Sequence, residues 1–180
     1  MVAIYYSTPY YHGNIGKGLN NFCSLVPNDA WICLRDADTL FLTPKQQEQI
    51  LDIVNSNHNY DLIGCKTNRL RAPYQLYNGV LSDNPNILDH INIAERLEKE
   101  HYGEIKPVNN VVAGMFMLFR KSLWDEIKFE ENSIFFDKTF SQQLLTKGYK
   151  LGIAQGIYLF HLYRFGKPNP CNYVQHLKSA

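Results

Sequence analysis

At 180 residues, with 45% hydrophobic content and a formal charge of +1, the chain has apolar material for one sizeable core. It has neither the basic stripe of a nucleic-acid binder nor the polybasic tail of a protein held on anionic membranes. No apolar run approaches the ~20 residues of a membrane span, and no basic-then-apolar leader opens the chain. The four cysteines, Cys23, Cys33, Cys65 and Cys171, form no C-x-x-C pair, and Cys33 and Cys65 sit in apolar runs where Cys behaves as a small hydrophobe. The expectation is a single cytoplasmic domain over residues 1–180, with 165–180 an irregular tail.

In chain order, Val2 to Ser7 is a short β-type run stopped by Pro9 in Thr8-Pro9-Tyr10-Tyr11, which presents aromatic rings at the strand's mouth. His12 to Phe22 reads as a glycine-rich turn entering a short helical segment, with Leu19, Phe22 and Leu25 or Val26 inward. It matches neither G-x-x-x-x-G-K-[ST] nor G-x-G-x-x-G, so a P-loop and a dinucleotide fingerprint are rejected. Lys17 places a positive charge there, in a turn where a lone Lys is ordinarily just solvated.

Trp31 to Leu34 is an apolar strand that breaks into Asp36-Ala37-Asp38 and turns apolar again. In an extended strand Asp36 and Asp38 point to one face and Ala37 to the other, so two carboxylates converge on one point. A hard divalent cation, Mg²⁺ or Mn²⁺, suits such a pair and commonly bridges it to a diphosphate. The plainer alternative is an Asp-rich turn after a buried strand.

Thr43-Pro44-Lys45-Gln46 carries a helix start, with Thr at the cap, Pro at the first position and Gln three residues on. That helix is expected to reach about Ser56, burying Ile50, Leu51, Ile53 and Val54. Tyr60 to Cys65 follows as a second buried strand, and the strand-helix-strand order predicts a right-handed crossover in a mostly parallel sheet. Lys66 to Asp83 is irregular, either a loop over a site or a solvated surface loop.

Asn86 to Glu100 is amphipathic, with Ile87, Leu88, Ile91, Ala94 and Leu97 on its apolar side. Val111 to Arg120 reads as a third strand whose Ala113-Gly114 step admits either a ligand or a close helix. Ser122 to Ile127 is a short helix, and Asp137 to Lys147 a longer one closed by Gly148. Tyr149 to Ala154 and Ile157 to Tyr163 are two β-type runs separated by Gln155-Gly156, and the second carries His161 and leads to Arg164.

Taken together, Thr8-Pro9-Tyr10, Asn14-Ile15-Gly16-Lys17-Gly18-Leu19-Asn20, Arg35-Asp36-Ala37-Asp38-Thr39, Ala113-Gly114-Met115, Asp137 ahead of Lys147-Gly148-Tyr149, and His161 resemble the GT-A glycosyltransferases of family-two type. The resemblance spans about Val2 to Arg164. It implies an α/β GT-A fold with a mostly parallel central sheet flanked by helices, and Mn²⁺ or Mg²⁺ held by Asp36, Asp38 and His161. It further implies donor contacts from Thr8, Pro9, Tyr10, Asn14, Lys17, Asn20, Arg35, Asp36 and Gly114, and a general base at Asp137. The implied reaction is transfer of a sugar from a nucleotide-diphosphate sugar, a UDP-sugar favoured, to a glycan or other hydroxyl acceptor, with inversion.

The chain departs from that family in two places. Tyr10 to Asn14 leaves no room for the helix and strand that usually precede the Asn-x-Gly-Lys segment, so the nucleobase is left open. The usual Glu-Asp pair reads Phe136-Asp137. Asp36-Ala37-Asp38-Thr39 also resembles the nucleophile motif of haloacid-dehalogenase-type phosphatases, which would make Asp36 a nucleophile. That family carries the motif on its first strand and needs a later G-D-x-x-x-D, and neither is present. A non-catalytic nucleotide-sugar-binding domain is the third alternative.

Overall fold

The computed structural model describes residues 2–8, 13–56 and 58–163. Strands β1 (Ile4–Ser7), β2 (Trp31–Arg35), β3 (Thr39–Phe41), β4 (Leu62–Thr67), β5 (Ile105–Val108), β6 (Phe116–Arg120) and β7 (Leu151–His161) form one open sheet. Their order is β1-β2-β6-β4-β7-β3, and β5 also pairs with β7. Around it lie α1 (Ile15–Leu25), α2 (Pro44–Asn55), α3 (Ile87–His101), α4 (Lys121–Glu126) and α5 (Phe136–Thr146). The chain is therefore α/β.

The sheet is mixed, which corrects the mostly parallel sheet expected from the sequence. β1 with β2 and β4 with β7 are parallel, whereas β2 with β6, β6 with β4, β7 with β3 and β7 with β5 are antiparallel. The strand-helix-strand spacing fixed β2 and β4 as mutually parallel, and they are, but it carried no information about what separates them. β6, arriving much later in the chain, runs between them in the opposite sense.

The central strands are apolar throughout because both faces are covered. In β2, Ile32 and Leu34 pack with Leu19 and Cys23 of α1, Trp124 of α4 and Phe140 of α5. The alternate residues Trp31 and Cys33 pack on the other face with Ile50, Ile53 and Val54 of α2. Cys23, Cys33 and Cys65 are buried free thiols, and burial pushes all three above the ordinary thiol range.

Several boundaries differ from expectation, for physical reasons. Gln155-Gly156 is not a break: β7 is continuous, and its register against β4 jumps between Cys65↔Ala154 and Lys66↔Tyr158. The surplus residues reverse which face each side chain takes, so Ala154 and Ile157 share one core. Gln46 and Gln49 on the buried face of α2 donate to the carbonyls of Tyr158 and Gly156, satisfying the backbone where that ladder is interrupted. Gly156 is obligatory here, since a Cβ would stand 2.6 Å from the His101 carbonyl oxygen.

Thr43 precedes α2 as expected, but its hydroxyl bonds Glu98 and makes no cap bond, and Gln46 accepts from Leu42 N at 2.8 Å. Leu51 is exposed. On α3 the buried face is rotated to His90, Ala94, Leu97 and Glu98, leaving Ile87 and Leu88 exposed. His90 is satisfied there by the Tyr158 hydroxyl and the Asn84 carbonyl. Residues 111–115 are not strand: the N–H groups of Val112, Ala113 and Gly114 donate to the side chains of Ser141, Gln75 and Asp137, and no described strand partners them before β6 begins.

Candidate metal centre and cavity

The two acids converge, though not through strand alternation. Asp36 follows the last residue of β2, and Ala37 and Asp38 form a turn into β3. Thr39 closes that turn, its N–H and hydroxyl both donating to the Asp36 carbonyl at 3.2 and 2.7 Å. Arg35 braces it through Nη1 to the Thr39 carbonyl at 3.1 Å and through its stack over Phe41. Outside the turn, Asp36 N donates to Met115 O at 3.1 Å and Leu162 N donates to Asp38 O at 2.9 Å. The turn is thus fastened to residues beside β6 and β7, the strand carrying His161, and Thr39 pairs with His161 in register.

His161 is 1% exposed and bonded on every side but one. Its backbone N–H donates to Asn68 Oδ1 at 2.7 Å, and its carbonyl accepts from Asn68 Nδ2 at 3.2 Å. Its Nδ1 lies 2.9 Å from the Arg69 carbonyl, an acceptor with no proton to give, so Nδ1 carries the hydrogen. Nε2 is buried and without a hydrogen-bond partner. It faces Asp38 Oδ1 at 3.3 Å and Asp36 Oδ2 at 3.8 Å.

A ring nitrogen and two carboxylate oxygens this close together are held by a shared positive charge, either a proton on Nε2 or a metal ion between the three groups. Among the described residues these three side chains form the one group that brings metal-type ligand atoms within 4.8 Å of one another. Ligands about 2.1 Å from an octahedral ion lie roughly 3 Å apart when adjacent and about 4.2 Å when opposite, and the two separations from Nε2, 3.3 and 3.8 Å, fall in that range. The backbone carbonyl on Nδ1 is the outer partner that metal-bound imidazoles ordinarily have.

The electrostatics fit a cation. Asp36 keeps about half its side-chain surface open to the cavity, but the crowded protein around it removes hydration. Its carboxyl is pushed up to about 6, by burial first; Asp38 and Asp137 push the same way and His161 opposes them. Asp38 is held below the usual carboxylate range by the adjacent His161, against the opposing effect of burial.

A cavity of about 490 Å³ opens from this centre, with Asp36, His161, Gly114, Asp137 and Arg71 on its walls. It lies at the carboxyl ends of β2, β4 and β7, where open α/β sheets take their ligands. A larger groove of about 690 Å³ near His58 and Lys150 lies at the opposite ends of β4 and β7, away from these groups. Asp137, in the first turn of α5, accepts from Gly114 N at 2.9 Å and Lys138 N at 2.7 Å. Burial raises its carboxyl above the usual range while those N–H groups pull it down. Gly114 earns its place by helix approach: a Cβ would stand 2.6 Å from Phe136 Cζ.

The other expected donor contacts are placed as follows. Asn14 caps α1, its Oδ1 accepting from Lys17 N and Asn132 N, both at 3.0 Å, and its Nδ2 donating to Asn132. Asn20 Oδ1 accepts from Trp124 Nε1 and Phe129 N, and Nδ2 donates to Phe129 O and Glu131, so its amide is filled within the protein. Both tie α1 to the segment before α5. Lys17 is exposed on α1, and Thr8 and Arg35 border a separate hollow with Tyr6 and Phe41. Pro9, Tyr10 and Arg164 lie outside the described residues, as does Cys171.

Sequence reasoning missed the segment between β4 and α3. Thr67, Asn68, Arg69 and Gln75 are buried, and Leu70 to Tyr74 form one wall of the cavity. An irregular, polar stretch gave no sign that its Asn68 side chain and Arg69 carbonyl would orient a histidine on a distant strand.

Compared with known proteins, the chain is matched by no protein-family model and by no curated sequence.

Proposed function

We propose that this chain is a metal-dependent glycosyltransferase with a GT-A-type arrangement, moving a sugar from a nucleotide-diphosphate sugar to an acceptor hydroxyl. The observation that carries the reading is the unpartnered, buried Nε2 of His161 aimed at Asp36 and Asp38 on the wall of the cavity. One nitrogen and two carboxylates suit Mn²⁺ or Mg²⁺ and leave coordination positions for phosphate oxygens. Such an ion, when bound, supplies positive charge opposite a departing diphosphate.

The chain's own groups have these roles. Asp36 and Asp38 would hold the ion just beyond the end of β2. Asn68 fixes the His161 backbone and the Arg69 carbonyl accepts from Nδ1, which together aim Nε2 at the acids. Asp137, with its raised affinity for a proton, takes the hydrogen of the acceptor hydroxyl as the new glycosidic bond forms. Attack from the face opposite the diphosphate inverts the anomeric centre.

One observation favours a second reading, a nucleotide-sugar-binding domain without turnover. Both oxygens of Asp137 already accept backbone N–H bonds, as a purely structural carboxylate would. The deciding experiment incubates the protein with a panel of nucleotide sugars, with and without Mn²⁺, and measures released nucleoside diphosphate. Metal-dependent release is the expected result. Metal-dependent binding with no release would support the binding domain, and phosphate released from phosphomonoesters would support Asp36 as a phosphatase nucleophile.

A further inference from the structure

The cations at the end of β4 and in the segment after it have different fates. Lys66 Nζ donates to the Tyr74 carbonyl at 3.0 Å. Arg69 is wholly buried, pairs with Asp83 and donates from Nε to the Tyr163 carbonyl at 2.7 Å. Arg71 lines the cavity instead, and its Nε and Nη2 are shielded from solvent with no hydrogen-bond partner. It forms no ion pair with any described carboxylate, although Asp36 and Asp137 border the same cavity.

The identity of those two nitrogens matters. Nε–H and the adjacent Nη2–H point the same way from one edge of the guanidinium plane, the fork that takes two oxygens of a carboxylate or phosphate. A guanidinium cannot shed its proton to escape burial. The cavity it lines also has Leu70, Ala113 and Phe136 on its walls, apolar groups that weaken screening and strengthen a charge pair formed there. The two nitrogens are out of reach of water as the side chain stands, so an anion entering the cavity would engage this fork through a shift of the Arg71 side chain or of the wall beside it.

We infer that Arg71 is an oxyanion receptor of this cavity, binding two oxygens of a phosphate or carboxylate group on the ligand, beside the metal centre and apart from it. The inference rests on the glycosyltransferase reading for what the ligand is, and on the unpartnered fork alone for the receptor. With a nucleotide sugar the oxyanion belongs either to the diphosphate or to an acidic sugar.

The test is calorimetry on the parent protein, Arg71→Gln and Arg71→Lys, with Mn²⁺ alone and then with pyrophosphate, UDP, UDP-glucose and UDP-glucuronate in the presence of Mn²⁺. Mn²⁺ affinity is expected to stay within about threefold in both variants. Pyrophosphate and UDP affinity should fall about tenfold or more in Arg71→Gln, with partial recovery in Arg71→Lys because an ammonium supplies charge without the fork. Loss confined to UDP-glucuronate would assign the oxyanion to the sugar's carboxylate.

Parent-like affinity of Arg71→Gln for every probe overturns the inference. If the parent binds no nucleotide, the glycosyltransferase reading fails, and the receptor is judged by the Arg71 side-chain ¹⁵N–¹H signal, assigned by its absence in Arg71→Lys. Movement of that signal on adding pyrophosphate or citrate supports the receptor, and a signal unmoved by both refutes it. The same titration on the parent decides the matter if Arg71→Gln fails to fold.

Discussion

His161→Asn separates the metal role of this histidine from its packing role. The Asn amide nitrogen is attached to the same γ carbon as Nδ1, so it stays in reach of the Arg69 carbonyl, 2.9 Å from Nδ1 in the parent. Nothing replaces Nε2. Loss of ring atoms from a site 1% exposed leaves a void costing about 2 kcal/mol without metal. Changing only an outer partner of a metal site weakens binding about 10–100-fold, so loss of one of three direct ligands should cost at least about 100-fold.

Stabilisation by a ligand follows RT ln(1 + [L]/Kd), about 2.7 kcal/mol when free Mn²⁺ is 100 times Kd. A Kd raised about 100-fold leaves about 0.4 kcal/mol at that same Mn²⁺ concentration. For a chain of this size each kcal/mol moves Tm by about 2–4 °C, so a parent shift of roughly 5–11 °C should shrink to about 1–2 °C. Thermal unfolding monitored across a Mn²⁺ series reads both quantities. His161→Gln should lower the metal-free Tm further than His161→Asn, since its amide sits at the Nε2 position and abandons Arg69. A parent-sized Mn²⁺ shift in His161→Asn would refute the metal centre.

Asp36→Asn should abolish the Mn²⁺ shift and, in EDTA, relieve a pH-dependent strain: a carboxyl raised from 3.8 to about 6 keeps its full contribution below pH 3.8 and loses it as pH rises through 6. Urea unfolding of the metal-free parent should therefore lose stability across that window relative to the variant, and parallel pH profiles would exclude Asp36 as its source. In the parent, Mn²⁺ affinity by calorimetry should fall as pH drops through about 6, where Asp36 takes up its proton.

Asn68→Ala strips partners from both the N–H and the carbonyl of His161, a loss of about 2–4 kcal/mol in urea unfolding; a change under 0.5 kcal/mol would deny Asn68 its bracing role. Asp137→Asn can keep an oxygen toward Gly114 or Lys138 but not both, so a stability loss of about 1 kcal/mol is expected alongside a turnover drop of ~10²–10⁴-fold. Turnover within a few-fold of the parent would remove Asp137 from the mechanism.

What could be read from the sequence follows a physical division. Periodicity and caps report local structure, so the α2 start at Pro44, the Gly148 stop after α5 and the buried runs of β2 and β4 were legible. That Asp36, Asp38 and His161 come together was expected as well, the histidine through the family resemblance, and the three groups do lie within 4.8 Å of one another. Their convergence was expected by a mistaken route: the acids meet through a turn stapled by Thr39, Met115 and Leu162, and no strand alternation is involved. Non-local pairing was invisible, including β6 between β2 and β4, the register jump in β7, and Gln46 and Gln49 serving that jump. The amide latches Asn14 and Asn20 were read for their motif, while the structure uses them to seat α1.

The charges around the cavity bear on the order in which ligands enter. Asp36, Asp38 and Asp137 place three carboxylates at or beside it, and Arg71 and Lys138 place two cations on its walls. With the acids ionised, these side chains leave an excess of one negative charge, a poor receptor for a diphosphate. A divalent ion at Asp36, Asp38 and His161 turns that into an excess of one positive charge. An ion there would share the cavity with Arg71, so one anionic ligand could meet both. On the proposed reading these charges favour metal entering before or with the diphosphate, at a centre where Asn68 and the Arg69 carbonyl hold His161 beside two acids.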